Sequence, residues 1–232
     1  MIPAVGSRVV YLGEAAGKQY LESAGVGTAD FGAGELAPDR DVLVLGHGCA
    51  GAAPDRARVA RFLAAGGRVL AVALDQADAD AVLPFKVGLR RAEYVGAALD
   101  PAPARSPLAG LGPANVYNRS PRELPLVESG AAVVAGGVLA LAPPGAGRPN
   151  VVFCQLAPWQ FDAARDRNQK AARRRAAVLL GRLLANLGAA GATPLPDRFG
   201  KPPAADEQPR WLRGLYPDVP EEWDDPYRFF RW

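Results

Sequence analysis

Two short and almost wholly apolar runs, with a helical pattern between them, restrict the possible folds of this chain more than any other feature. The runs occupy 41–45 and 68–74, and each is too short to be a helix. Between them, apolar residues at helical spacing predict an amphipathic helix over 55–65, which a pair of glycines ends. Strands that are apolar throughout are buried on both faces. The pattern therefore predicts a parallel sheet that helices cover.

Further strands are predicted on either side of this unit. Residues 8–12 form a buried strand, and the helix that follows ends at Gly25. Near the other end of the chain, the strand-like runs 131–142 and 150–156 flank a segment rich in proline and glycine. Such a segment is typical of a turn, so these two runs are predicted to form an antiparallel hairpin.

The strongest helical pattern lies late in the chain, over 169–187, and Gly188 ends it. Apolar residues recur there at spacings of three and four, which predicts a helix with one buried face, formed by Ala172, Ala176, Leu179, Leu180, Leu183, Leu184 and Leu187. By contrast, 84–130 shows little periodicity. We expect an irregular excursion there, with one short strand near Tyr94.

The last part of the chain, 193–232, differs in composition from the rest. It holds eight of the 22 prolines and eight of the 18 aromatic residues, including Trp211, Trp223 and Trp232. Prolines disfavour regular structure, whereas aromatic rings gain much free energy when they are buried. We therefore predict a domain over 1–192 and a C-terminal strap over 193–232, lying on that domain or on a neighbouring molecule.

Composition excludes several classes of protein. With 49% hydrophobic and 22% charged residues among 232, the chain is not of the disordered type. Cys49 and Cys154 are the two cysteines, too few for a disulfide scaffold or a cysteine zinc cluster. His47 is the single histidine, which excludes any site built on two histidines. We expect neither a metal site nor a cofactor.

Charge and hydropathy point to no nucleic-acid or membrane partner. A net charge of +3 is not a nucleic-acid footprint. The arginines near the late helix, among them Arg165, Arg173, Arg174, Arg175 and Arg182, are expected to form its solvated side and to pair with acids of the tail. No apolar run is long enough to span a bilayer. The N-terminus lacks a signal-peptide pattern, so a cytoplasmic location is expected if Met1 is the true start.

A glycine-rich loop at Gly46–Gly51 is the first candidate site. It has the spacing G-x-G-x-x-G, follows a strand and precedes a helix, and Asp75 ends the next strand. Such a loop lets a pyrophosphate approach the backbone at a helix N-terminus, so a nicotinamide dinucleotide is one possible ligand. Asp75 lies somewhat farther away than the usual spacing of ~20 residues. The alternative is a tight strand-to-helix turn.

The same loop contains His47 and Cys49, a potential base and nucleophile. The two residues are close in sequence, but no third group that would orient them is evident. Cysteines near strand ends are usually small buried residues without reactivity. An inert Cys49 is therefore the competing interpretation.

Several short sequences occur in the order found in a known family. They are Asp41-Val-Leu-Val-Leu-Gly, Arg61-Phe-Leu-Ala-Ala-Gly-Gly-Arg-Val-Leu, Ser106-Pro-Leu-Ala-Gly-Leu, Val152-Phe-Cys-Gln-Leu-Ala-Pro-Trp, Leu183-Leu-Ala-Asn-Leu-Gly and the closing Glu222-Trp-Asp-Asp-Pro-Tyr-Arg-Phe-Phe-Arg-Trp. Together they resemble class I glutamine amidotransferase-like domains, in particular the accessory domains of bacterial glycoside hydrolases of the beta-galactosidase kind. The resemblance covers about 8–190 and the tail.

The resemblance implies an α/β fold of the flavodoxin-like type. It has a mostly parallel sheet with helices on both faces, a late antiparallel hairpin and an extended C-terminal tail. It also locates the catalytic positions of the family. The nucleophile position corresponds to Ala73, whose flanking glycines are absent, which puts the strained turn in doubt. The histidine and glutamate positions correspond to Ala157 and Trp159, while Gln155 and Pro158 match the family. A triad of this composition cannot operate.

These observations predict a domain without catalytic residues. The resemblance implies an accessory role beside a glycoside-hydrolase-like protein, in packing, in oligomerisation through the C-terminal tail, or in carbohydrate binding. A chain of this kind offers no barrel for an intact glycosidase. The crevice at the strand ends survives the loss of chemistry. Its expected ligand-binding residues are His47, Gly48, Cys49, Asp75, Gln76 and Trp159, with Trp159 as a ring for sugar stacking.

Overall fold

A computed structural model of the chain describes residues 7–52, 54–118, 120–142, 150–161 and 167–189. The tail 193–232 and the end of the predicted 1–192 domain lie outside these residues. The helices are α1 (Ala15–Ser23), α2 (Arg56–Ala64), α3 (Gln76–Val82) and α4 (Arg167–Asn186). The strands are β1 (Arg8–Leu12), β2 (Thr28–Asp30), β3 (Asp41–Gly46), β4 (Arg68–Val72), β5 (Gly88–Tyr94), β6 (Arg122–Ser129), β7 (Ala132–Val134), β8 (Leu139–Ala142) and β9 (Val151–Cys154).

The main sheet has seven strands in the order β2-β1-β3-β4-β9-β8-β7. The first five are parallel to one another. At one edge of the sheet, β8 is antiparallel to both of its neighbours, β9 and β7. From β1 the chain first forms β2 at one edge of the sheet, and it then forms β3 and β4 on the opposite side of β1. This order confirms the predicted flavodoxin-like α/β class, with its mostly parallel sheet and its late antiparallel hairpin.

Alternate residues of the central strands face opposite layers of the core. Val42 and Val44 of β3 belong to a cluster that includes Leu21 of α1 and the apolar stripe of α4. Leu43 and Leu45 belong to a second cluster, which α2 and α3 cover. All residues of β3 are buried, which agrees with a strand that has helices on both sides. The predicted covering of both faces is thereby confirmed.

Several predicted elements differ from the observed ones. The run 131–142 is not one strand but the hairpin β7–β8, because the backbone turns at Ala135-Gly136-Gly137, where φ is positive at all three residues. The strand predicted over 68–74 ends at Val72. The excursion 84–130 contains the two-stranded antiparallel ribbon β5–β6, rather than one short strand near Tyr94. The sequence patterns did not predict β2 or α3.

An ion pair between half-exposed Arg8 and buried Asp41 joins the starts of β1 and β3. Arg8 lies opposite Asp41 in the parallel register and donates two hydrogen bonds to its carboxylate, of 3.0 and 2.8 Å. The N–H of Ala37 donates a third, of 2.8 Å. Burial on its own would raise the pKa of Asp41, but the hydrogen bonds from Arg8 and Ala37 and the charges of Arg8 and Arg40 lower it below its ordinary value. The folded state therefore favours the charged carboxylate.

We predict that Asp41→Asn lowers the free energy of unfolding at pH 7 by about 1–3 kcal/mol, since it removes a charged hydrogen-bond acceptor. Because the pKa of Asp41 is lower in the folded chain than in the unfolded one, its contribution is present above about pH 4 and is lost as pH falls through the folded pKa. The difference from the parent chain should therefore narrow below about pH 4. Denaturant titrations at several pH values measure it, with exposed Asp39→Asn as the control. A difference that is constant with pH would contradict the prediction.

Candidate functional site

The crevice of a flavodoxin-like sheet lies where the strand order reverses, here between the carboxyl ends of β1 and β3. Gly13 and Glu14 follow β1, and His47 and Gly48 follow β3. A hydrogen bond of 2.8 Å from the N–H of Glu14 to the carbonyl of His47 joins the two loops. The predicted site therefore starts at this position of the sheet.

Asp78, a residue that the sequence patterns did not indicate, organises the loop after β3. Its side chain is almost wholly buried. One carboxylate oxygen accepts the N–H of Gly48 at 3.0 Å, and the other accepts the N–H of Ala50 at 2.9 Å. Nδ1 of His47 lies 3.2 Å from the first of these oxygens. The loop is thus folded around an internal anion.

Asp78 belongs to the first turn of α3, where it takes part in a reciprocal capping interaction. Asp75 is the N-cap residue and accepts the N–H of Asp78 at 2.8 Å, while the side chain of Asp78 accepts in return from the N–H of Asp75. An acid at the N-cap and another three residues later is a recognised helix start. The spacing of Asp75 and Asp78 was therefore the sequence signal for this residue, although it does not reveal the contact with the β3 loop.

Ligand atoms of His47, Asp75 and Asp78 lie within 4.8 Å of one another, which is a composition that can hold a cation. Both oxygens of Asp78, however, already accept backbone N–H groups of the β3 loop. A metal would compete with bonds that hold the loop in shape. We therefore interpret the cluster as a structural support of the loop.

Cys49 is completely buried in the α2–α3 layer of the core. Burial raises the pKa of its thiol, and the charge of Asp78 and a hydrogen bond to it raise the pKa further. The thiol is therefore protonated near neutral pH, whereas the thiolate is the nucleophile. His47 directs Nδ1 at Asp78, so the geometry does not support a nucleophile–base pair of Cys49 and His47.

Gln76 and Trp159 make their contacts with residues outside this loop. The amide of Gln76 donates to the carbonyl of Val87 at 3.0 Å and accepts the N–H of Leu89 at 2.9 Å, so it fastens the start of β5. The indole of Trp159 donates to Oε1 of Glu14 at 2.8 Å and packs against Tyr20, with ring centroids 5.7 Å apart. The predicted ligand-binding set is therefore divided: His47, Gly48, Cys49 and Asp75 surround Asp78, and the other two have separate contacts.

Tyr11 explains the glycines on the β1 side of the crevice. Its hydroxyl donates to the carbonyl of Glu14 at 3.0 Å, and its ring lies against the backbone of Gly13, Gly17 and Gly46. A Cβ at any of the three would overlap the Tyr11 hydroxyl. Gly46, the first glycine of the G-x-G-x-x-G pattern, is thus required by internal packing.

The turn after β4 keeps a strained backbone at Ala73, where φ is 53°. The N–H of Ala73 donates to the carbonyl of Cys154 at 2.9 Å, which ties the ends of β4 and β9 together. The absence of the flanking glycines puts a strained turn in doubt, yet the backbone of Ala73 has a positive φ without them. Ala73 and Ala157 are both buried and belong to the same apolar cluster.

Two further buried groups lie near the end of β9. Burial raises the pKa of Cys154 to about 12, and its thiol donates to the carbonyl of Leu156 at 3.5 Å. Gln155 is fully buried, and among the residues that the structure describes its side-chain amide has no hydrogen-bond partner. Neither group offers a nucleophile or a base at neutral pH.

Comparisons with known proteins do not extend what the strand order shows. No protein-family model and no curated protein matches the chain. Among solved structures, the chain is similar to one described as the structure of PurLQS from Thermotoga maritima, with a TM-score of 0.44 and 11% identity over 75% of this chain and 99% of that chain. This similarity adds nothing to the α/β class that the strand order already shows. Within the described residues, no helix combines the length and the apolar character needed to cross a membrane.

We predict that Asp78→Ala lowers the free energy of unfolding by about 2–4 kcal/mol, because it leaves the N–H groups of Gly48 and Ala50 without their acceptors. Asp80→Ala, on the exposed side of the same helix, is the matched control and should cost less than about 1 kcal/mol. Denaturant unfolding of the two variants measures the difference. Equal losses would show that the carboxylate of Asp78 does not support the loop.

A second prediction concerns the turn at Ala73. Glycine removes a left-handed strain of roughly 1–2 kcal/mol there, which offsets the loss of a buried methyl worth about 0.8 kcal/mol. Ala71→Gly, in the extended strand β4, has no strain to relieve and loses chain entropy as well. We expect Ala73→Gly to be at least about 1 kcal/mol more stable than Ala71→Gly in thermal or denaturant unfolding. If Ala71→Gly proved the more stable variant, the positive φ at Ala73 would be contradicted.

Proposed function

We propose that this chain is a non-catalytic domain of the amidotransferase-like type, which serves packing and assembly in or beside a glycoside-hydrolase-like protein. The main support is the pair of buried methyl groups, Ala73 and Ala157, at the positions where the resemblance requires a nucleophile and a base. Alanine can neither attack a carbonyl nor transfer a proton. The strained turn at Ala73 accordingly serves the fold of the domain.

The remaining side chains do not restore an active site. Both cysteines are buried with raised pKa values, so neither supplies a thiolate near neutral pH. His47 lies after β3, on the far side of β4 from the position of Ala157, which follows β9. A different acid–base pair would need a titratable residue close to the Ala73 turn. At the family's nucleophile and histidine positions, Ala73 and Ala157 provide no titratable group.

The alternative, a dinucleotide-binding enzyme, has less support. In such enzymes, backbone N–H groups of the glycine-rich loop donate to a pyrophosphate. Here the N–H groups of Gly48 and Ala50 donate to Asp78 instead. A phosphate would have to displace this carboxylate, which also carries a charge of the same sign. The loop at Gly46–Gly51 therefore fits the turn interpretation better.

Carbohydrate binding through Trp159 is also weakly supported. A sugar-stacking ring needs one free face and polar neighbours without partners. The indole N–H of Trp159 is bonded to Glu14, and the ring contacts Tyr20 and lies close to Gly17. These contacts favour a role in fixing α1 against the segment after β9. Packing and oligomerisation are thus the roles that we retain.

We predict that the full chain does not hydrolyse glutamine, because alanines occupy the family's nucleophile and base positions. Release of glutamate and ammonia measures this directly.

We also predict that iodoacetamide alkylates neither Cys49 nor Cys154 in the native chain, because both thiols are buried and protonated. Mass spectrometry of the alkylated chain identifies the modified residue.

Two controls make these measurements decisive. A Val133→Cys variant places a thiol on a side chain that is 45% exposed, and this thiol should react fully under the same conditions. In denaturant, all cysteines should react. Glutaminase activity that rises with purity, or rapid alkylation of Cys49 in the native chain, would overturn the proposed lack of catalysis.

A further inference from the structure

A shallow groove lies between the end of β5, the segment before Asn118 and α4. It has a volume of about 530 Å³, and its walls are mainly apolar, formed by residues that include Val95, Ala97, Pro113 and Tyr117. Of the four large hydrophobic side chains that are exposed among the described residues, Val95 and Tyr117 line this groove. A third, Val178, lies one helical turn along α4 from the groove residue Arg175. Single exposed apolar residues are ordinary, but their concentration at one place marks a docking surface.

Among the described residues that line the groove, Arg175 is the charged one. Its guanidinium lies over the ring of Tyr117, 5.3 Å from the centroid. Its Nη1 atom is shielded from solvent and, within the part of the chain that the structure describes, makes no hydrogen bond. A guanidinium donor that lacks an acceptor is unfavourable, and a carboxylate is its strongest partner. Arg175 is itself a lining residue of the groove. An occupant with an apolar ring next to an acid would satisfy both features.

We propose that the occupant is the C-terminal segment 221–232 of the same chain. This segment places Trp223 between two pairs of acids, Glu221 and Glu222 before it and Asp224 and Asp225 after it. The indole matches the apolar walls, and a neighbouring carboxylate matches Arg175. The acids of the segment are thus complementary in charge to Arg175, which lines the groove.

The connection between α4 and the segment is long enough to permit this docking. From Asn186, where α4 ends, back to Arg175 the helix spans about 17 Å at 1.5 Å per residue. The 31 residues of 190–220 could reach about 100 Å if fully extended, which is ample for this distance. A covalent tether that can span two sites makes their contact intramolecular and raises the effective concentration of the segment. Weak contacts in the groove are therefore sufficient, and the inference does not depend on whether the domain is catalytic.

Hydrogen–deuterium exchange of the full chain, followed by mass spectrometry, tests the proposal. In the parent chain, amides of 221–232 should exchange at least about tenfold more slowly than unstructured peptide. Arg175→Glu and Tyr117→Ser should each remove this protection. Arg61→Glu on α2 and Val133→Ser on β7, which change exposed residues elsewhere, should leave it unchanged. Unchanged exchange of β3 and β4 amides shows that each variant is folded.

Variants of the tail give the reciprocal test without altering the domain. Trp223→Ser should speed exchange of amides around Tyr117, and Asp224→Arg with Asp225→Arg should do the same. Combining these reversals with Arg175→Glu should restore protection, which a merely structural role of Arg175 would not do. Random-coil exchange of 221–232 in the parent chain would overturn the proposal. Protection that appears only in a dimer, as judged by light scattering, would also overturn it in favour of exchange of tails between two copies.

Discussion

The fold depends on the complete burial of the two central strands. Every residue of β3 and nearly all of β4 are shielded from solvent. Their backbone groups must therefore form hydrogen bonds with neighbouring strands, and their side chains must pack against helices. This requirement divides the core into two layers: α1 and α4 on one face, α2 and α3 on the other. Because β1, β3, β4 and β9 are parallel, the loops that follow them all lie at the carboxyl ends of the strands. The candidate site residues belong to these loops or follow them directly.

At these strand ends, the groups that usually bind ligands in related architectures are occupied by the chain itself. The carboxylate of Asp78 takes the backbone donors of the β3 loop, and the indole N–H of Trp159 goes to Glu14. The strained turn at Ala73 remains, yet it presents only a methyl group. These polar groups of the site are thus engaged in internal bonds, while the groove beside α4 leaves apolar surface and a charged donor unmatched among the described residues.

The elements that could be predicted from the sequence are those with a strong local signal. The runs around Leu43 and Leu70 are apolar on both faces, and α4 has a regular stripe, so β3, β4 and α4 were evident. By contrast, β2 has only three residues, Thr28–Asp30, and no apolar pattern. The ribbon β5–β6 contains several charged residues and pairs segments far apart in sequence, for which local periodicity gives no information.

The candidate site was predictable in its location but not in its contacts. The ends of apolar strands indicate where a crevice lies, and His47, Gly48, Cys49 and Asp75 do meet there. Asp78 was missed because its role depends on a contact with Gly48, 30 residues away in sequence, and local patterns do not report such contacts. The positive φ at Ala73 was missed for a related reason: no glycine marks it in the local sequence, and the bond from Ala73 to Cys154 joins residues far apart in the chain.

The packing of Tyr11 has a consequence for how this chain can change during evolution. Gly13, Gly17 and Gly46 lie on three different segments, yet one aromatic ring excludes a side chain from all of them. A side chain at any of these glycines would clash with the Tyr11 hydroxyl as long as the tyrosine is present. A smaller residue in place of Tyr11 would leave a cavity beside the three glycines. The four positions should therefore vary together among descendants of this sequence. A glycine-rich pattern that looks like a phosphate-binding motif can in this way persist through covariation with a tyrosine, without any ligand to select for it.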